Sequence, residues 1–172
     1  MLGIVPITAS GAEIENNSKH VVIDKTRQEL FAYEGNRLVF ETHISTGKWN
    51  QSTPTGHFIA GEKSLMHYSK KYHNSPMPFS IYVTGNVFIH GYKNVPNYPA
   101  SHGCIRLPLI AGQKNPAKIL FDWIKPGTKI DIIGAWIDVR NTHLSISNDK
   151  SEAKLLPVIL RLQVGNKLLT GV

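Results

Sequence analysis

Cys104 is the only cysteine in the chain. A lone cysteine is either a small buried apolar residue or a reactive thiol. Two histidines favour the second reading: His102, two residues before it, and His90, which ends an apolar run. A cysteine attacks a carbonyl as the thiolate, and a free thiol is little ionised at neutral pH, so it needs a base within hydrogen-bond reach. Gly91 and Gly103 each follow one of the histidines. Glycine beside a nucleophile lets backbone N–H groups approach a developing oxyanion. Side chains two apart on a strand share a face, but a tight glycine turn breaks that rule. Spacing therefore leaves open which histidine is the base. It also leaves open a strand-end histidine bonded to backbone at position 90, and a surface ion-pair partner at Arg106. His90, His102 and Cys104 could ligate zinc, but their spacing matches no common zinc motif. No metal or cofactor is expected.

The elements that must hold these residues are mostly strands. His20–Asp24, Glu29–Tyr33 and Arg37–Ile44 read as a meander, with Leu38, Phe40, Thr42 and Ile44 alternating in the last run. Thr46–Gly56 is rich in Gly, Pro, Ser, Thr and Asn and reads as a loop. His57–Gly61 reads as a strand. Residues 62–78 show no clean period and read as a long surface loop of the kind that serves as a lid. Phe79–Thr84 and Val87–His90 flank Gly85-Asn86 as a hairpin, and Gly91–Ala100 as a loop. The clearest helix is Pro116–Lys125, with Asn115 as N-cap, Pro116 in the first turn and Pro126-Gly127 ending it. Ile119, Leu120, Trp123 and Ile124 share one of its faces. Lys129–Ile133 reads as a final strand. The expected fold is mainly β, a sandwich or barrel with one clear helix.

The 172 residues suit one domain with a short extension, and 41% hydrophobic with 18% charged residues marks a globular chain. The net charge of +7 suits an anionic partner, but no dense Lys/Arg run favours nucleic acid. The tightest basic cluster, Lys70-Lys71 with His67 and His73, is expected to be a solvated loop face. No run of apolar residues is long enough to span a membrane. Residues 1–12 read as the end of a secretory signal, a mature N-terminus or a fusion remnant: a short apolar run precedes small residues at Ala9–Ala12, without a basic leader.

Ser101-His102-Gly103-Cys104-Ile105-Arg106-Leu107, preceded by Ile89-His90-Gly91, resembles the active-site signature of the L,D-transpeptidase catalytic domain family. Ser45-Thr46-Gly47 with Thr53-Pro54-Thr55-Gly56-His57-Phe58 resembles the family's upstream motif, and Leu120–Thr128 its helix-to-last-strand segment. Three blocks in the family's order make a specific match, running from about His20 to Gly134. The resemblance implies a β-sandwich-like catalytic domain over residues 20–134, with an N-terminal segment 1–19 and an extension 135–172 that matches nothing in the family.

The resemblance also implies roles. Cys104 is the nucleophile and His90 its base, held by a nearby backbone carbonyl. His102 with the amides of Gly103 and Cys104 shapes the oxyanion site, beside Gly91. Arg106, Ser101 and Tyr92 bind substrate, the guanidinium on a stem carboxylate. Residues 62–78 take the lid position. The implied activity is peptidoglycan cross-linking through a Cys104 thioester with release of D-alanine, in the periplasm or extracytoplasmic envelope. Its partners are the stem peptides of the wall, its consequence is wall organisation and cell shape, and carbapenems are expected to acylate the cysteine. Two alternatives stay open: an L,D-carboxypeptidase hydrolysing the same bond, and a catalytically silent wall-binding module. The segment Pro108–Lys114 is less acidic than the family's pattern. The remaining histidines, His20, His43, His57, His67, His73 and His143, read as structural or surface residues, with His67 and His73 able to line the lid. Oligomeric state and acceptor are not legible.

Overall fold

The computed structural model describes residues 18–136. The expectations for the segment before residue 18 and for the extension beyond residue 136 lie outside the described residues. Among the described residues the fold is mainly β, with two mixed sheets and one α-helix. Strands β1 (Lys19–Asp24), β2 (Glu29–Glu34) and β3 (Arg37–His43) form the meander, followed by a 3-10 turn at Trp49–Gln51 and β4 (Gly56–Ile59). Then come β5 (Lys63–Ser69), β6 (Ser75–Thr84), β7 (Val87–Tyr92) and β8 (Ile105–Pro108). Helix α1 (Pro116–Trp123) and β9 (Lys129–Ile133) complete the domain.

One sheet has the order β3-β2-β1-β9-β4 and the other β5-β6-β7-β8. Alternation explains why they face each other. Val21 and Ile23 on β1 stand opposite Ala32 and Leu30 on β2 and opposite Ile130 and Ile132 on β9. All six are fully buried, so a single-residue slip would turn that face to water. In the second sheet Ile81 pairs with Ile89, and Ile89 with Ile105. These residues also belong to the core, with Leu107, Leu120 and Ile124.

Helix α1 caps as the sequence predicts. The Asn115 side chain accepts from the Lys118 amide at 3.4 Å, satisfying one of the first-turn donors. It ends at Trp123 rather than Lys125, because Ile124 is already extended, and the residue before a proline avoids the helical region. Its buried residues Ala117 and Leu120 pack toward β6, β7 and β8. Gly91 permits that approach: a Cβ there would lie 3.0 Å from the Ala117 Cβ and 2.9 Å from Leu109 Cδ1. Pro108 closes β8, and the segment after it forms bends and turns rather than helix.

Residues 62–78 are not an irregular loop. They form most of the β5–β6 hairpin, registered from Lys63↔Ile81 out to Ser69↔Ser75. His73 and Asn74 at its tip and Phe79 in β6 carry left-handed φ angles of 50°, 54° and 56°. Such angles are uncommon outside glycine and are tolerated best in turns. At Phe79 the pairing with β5 skips, from Ser64↔Ser80 to Met66↔Pro78. The Ser80 hydroxyl holds the bend by donating to the Met77 carbonyl at 2.7 Å. The outer half of the hairpin thereby becomes a wall over the exposed face of its own sheet.

Candidate active site

On β7 and β8 the residues alternate between core and cleft. Ile89, Ile105 and Leu107 point into the core, whereas His90 pairs with Arg106 on the opposite face. Cys104 immediately precedes β8, two residues before Arg106, and shares that face. A cleft of about 520 Å³ gathers His90, His102, Cys104, Arg106, Ser101 and Tyr92. Its other wall is the β5–β6 hairpin, which contributes His67, Lys70, Lys71 and Tyr72. The basic cluster is exposed, as expected at Lys70, Lys71 and His73, but His67, Lys70 and Lys71 also line the cleft, because the hairpin folds back over the sheet. His73 is not among the lining residues.

His90 is 5% exposed. Its Nδ1 donates to the Gly91 carbonyl at 3.0 Å, which leaves Nε2 as the acceptor of the neutral ring. Burial pulls its pKa down to about 4 against the opposing backbone bond, and Arg106 and His67 add to the lowering. The ring is thus neutral across the physiological range. Burial pushes the Cys104 thiol above its usual pKa, while a Phe88 backbone hydrogen bond and the Arg106 charge pull the other way. The neutral thiol donates to the Asn86 carbonyl at 3.6 Å rather than to the imidazole. Near neutral pH the pair is therefore a neutral thiol and a neutral imidazole.

His102 is exposed and stacks on Tyr72 of the hairpin tip, with ring centroids 4.6 Å apart. Burial lowers its pKa, and Lys48, Arg106 and Lys71 lower it further. The Arg106 guanidinium lies over the Tyr92 ring at 4.1 Å, and its Nη1 donates to the Ala100 carbonyl at 3.3 Å. Two residues depart from expectation. Ser101 is 1% exposed, and its hydroxyl bonds within the turn: it donates to the Cys104 carbonyl and accepts the Gly103 amide at 3.1 Å. Ser101 therefore holds the turn at Cys104, and the Gly103 amide is already engaged. No group of three or more His, Cys, Asp or Glu residues among the described residues is arranged to hold a metal ion.

A buried polar network clamps this turn from behind; its Ser45–Gly47 and Thr53 members belong to the upstream motif, and its Lys25 and Gln28 members were missed in the sequence. Ser45 exchanges backbone bonds with Arg106 at 3.0 and 2.9 Å, and the Thr46 carbonyl accepts the Ala100 and Ser101 amides at 3.0 Å. Thr53 Oγ1 accepts from the Gly47 amide at 2.9 Å and donates to the Gly103 carbonyl at 2.8 Å. A Cβ at Gly47 would come 2.7 Å from the Thr53 nitrogen and 2.9 Å from the Gly103 Cα. Lys25 donates to the Thr53 carbonyl at 2.7 Å, and burial lowers its pKa. Gln28, fully buried, accepts the Thr46 amide at 2.8 Å and donates to the Lys25 carbonyl at 2.7 Å and to Thr46 Oγ1 at 2.9 Å. Gln28→Ala should therefore cost about 2 kcal/mol of stability, because it strands buried polar groups. Denaturant unfolding checks this, and an unchanged midpoint would show the network dispensable.

The sequence profile described as the L,D-transpeptidase catalytic domain matches residues 18–132. No curated protein sequence matches the chain. Among solved structures, an L,D-transpeptidase from Stackebrandtia nassauensis is 22% identical with a TM-score of 0.62, over 74% of this chain and 62% of that one. One from Xylanimonas cellulosilytica is 28% identical with a TM-score of 0.58, over 69% and 61%. One solved in complex with imipenem is 20% identical with a TM-score of 0.59, over 67% and 59%. The chain thus spans about three-fifths of the length of these structures.

Proposed function

The chain belongs to the L,D-transpeptidase catalytic domain family, and on that premise we propose that it transfers the acyl group of a peptidoglycan tetrapeptide stem to an amine through a thioester on Cys104. The observation that carries this reading is a buried neutral histidine, its Nδ1 tied to backbone, in one cleft with the lone cysteine. In the first half-reaction the Cys104 sulfur attacks the stem carbonyl while His90 Nε2 takes the thiol proton. The C–N bond to D-alanine breaks, and His90 returns the proton to the departing amine. In the second half, an acceptor amine attacks the thioester and gives its proton to His90; the C–S bond breaks, and His90 passes that proton to the departing sulfur, restoring the thiol.

A base that moves during attack suits a raised thiol pKa, since no standing thiolate is required. The Cys104 amide and His102 are the groups we assign to the oxyanion. The Gly103 amide and Ser101 instead hold the turn. Gly91 acts through His90, as the acceptor of its Nδ1 proton. Arg106, supported by Tyr92, takes a stem carboxylate. The catalytic unit is residues 20–134, flanked by segments 1–19 and 135–172. Its place is the extracytoplasmic envelope, where cross-linking shapes the wall. Among the described residues no helix is long and apolar enough to cross a membrane.

The hairpin wall favours transfer over hydrolysis, because a screened cleft limits water while a bound amine has a high effective concentration. The test supplies tetrapeptide stems with and without a D-amino acid and reads products by mass spectrometry. Exchange products and stem dimers are expected. Tripeptide as the sole product at saturating acceptor would make the protein a carboxypeptidase.

A further inference from the structure

The charge of the cleft has one sign. Lys70 and Lys71 at the hairpin tip and Arg106 on β8 line it together with three histidines, and no aspartate or glutamate does. Lys48 stands near enough to the mouth to act on the His102 ring. Among the described residues, none of Lys48, Lys70, Lys71 and Arg106 has a carboxylate within ion-pair distance. The ion pairs lie elsewhere, at Arg27–Glu29, Arg37–Glu34, Lys118–Asp122 and the two histidines on Asp131. Arg106 Nε is buried without a hydrogen-bond partner. The guanidinium is held by a carbonyl and an aromatic face, neither of which neutralises it.

Cations converging on a concave surface repel one another, and the low-dielectric walls focus their field. That cost is offset when a ligand brings the missing negative charge. Arg106 presents a rigid fork suited to a carboxylate, whereas Lys70 and Lys71 are flexible point charges that can follow a second one. We propose that the cleft selects donor stems by their free carboxylates, with Arg106 holding one and the hairpin-tip lysines Lys70 and Lys71 a second, so that a stem carrying carboxamides in their place is a poor ligand. A carboxamide keeps the size of a carboxylate and loses its charge, so the discrimination is electrostatic. This rests on the transpeptidase reading and adds the charge state of the donor.

The experiment titrates the Cys104→Ala chain calorimetrically with a disaccharide-tetrapeptide bearing free carboxylates, and with its carboxamide counterpart, at low and moderate salt. The free-carboxylate stem should bind about tenfold tighter at low salt. The gap should shrink as salt screens the cleft. Adding Lys70→Gln and Lys71→Gln should narrow it to about threefold or less. Equal affinities, or a gap indifferent to salt and to both lysines, overturn the proposal. Wild-type turnover is read separately: a binding preference without acyl transfer upholds charge selection and overturns the transpeptidase reading.

Discussion

Cys104→Ala should abolish stem turnover and covalent capture of a carbapenem, while leaving the fold intact. Removing a nucleophile that works with its base as a unit costs on the order of 10⁴ or more in rate. The chain has no second cysteine to substitute. Stability should change little, because the thiol's contacts are weak, a 3.6 Å donation to the Asn86 carbonyl and a backbone hydrogen bond with Phe88. Intact-protein mass spectrometry after incubation with imipenem reads the adduct, and thermal melting reads the fold. An adduct that persists in Cys104→Ala would move the nucleophile elsewhere.

His90→Ala should lower the acylation rate by about 10² to 10⁴, the usual worth of a positioned base, and more than His102→Ala does. His90 is buried, with Nδ1 committed to the Gly91 carbonyl, whereas His102 is exposed and stacked on Tyr72. The pH profile separates a base from a packing residue. With its pKa held down to about 4, His90 stays competent as pH falls through the normal histidine range, so the acid limb of kcat/KM should lie near pH 4 to 5. In His90→Ala, attack must wait for the free thiolate, so the residual rate should climb with pH toward the raised thiol pKa. The same burial links to stability. Unfolding releases a histidine that binds a proton at its ordinary pKa, so the unfolded state takes up more protons between about pH 4 and 6.5. Stability should therefore fall on acidification through that window by roughly 3 kcal/mol, and His90→Gln should flatten that part of the curve. Normal acylation by His90→Ala at neutral pH would remove His90 from the role of base.

Local signals in the chain were enough for much of this. The strand runs of the β1–β3 meander, the Gly85-Asn86 turn and the Asn115-Pro116 helix start each express a short-range rule and appear where expected, but the alternation expected from Leu38 to Ile44 is broken by a bulge that leaves Leu38 exposed. Cys104 and His90 stood out as candidates because each sits beside a glycine, whereas the choice of His90 as base and the role of Arg106 came from the family resemblance alone. The hairpin at 62–78 was not, for a physical reason. β5 is an edge strand with exposed Leu65, Met66 and Tyr68, so no apolar face repeats at period two, and Pro76, Pro78 and the left-handed Phe79 interrupt its partner. Gln28 and Lys25 escaped notice for a related reason. Each is a polar residue in a turn-like stretch, which ordinarily means solvent. What makes them structural is contact across the fold, with Gln28 reaching Thr46, Lys25 reaching Thr53 and Thr53 reaching Gly103. The Thr53–Gly56 block was the one signal that could have pointed to them. The residue types thus set the chemistry available to this chain. Which amide is engaged, how far a histidine is buried and which lysines line the cleft follow from long-range packing, because desolvation and hydrogen-bond satisfaction belong to the neighbours that folding brings, not to the adjacent letters.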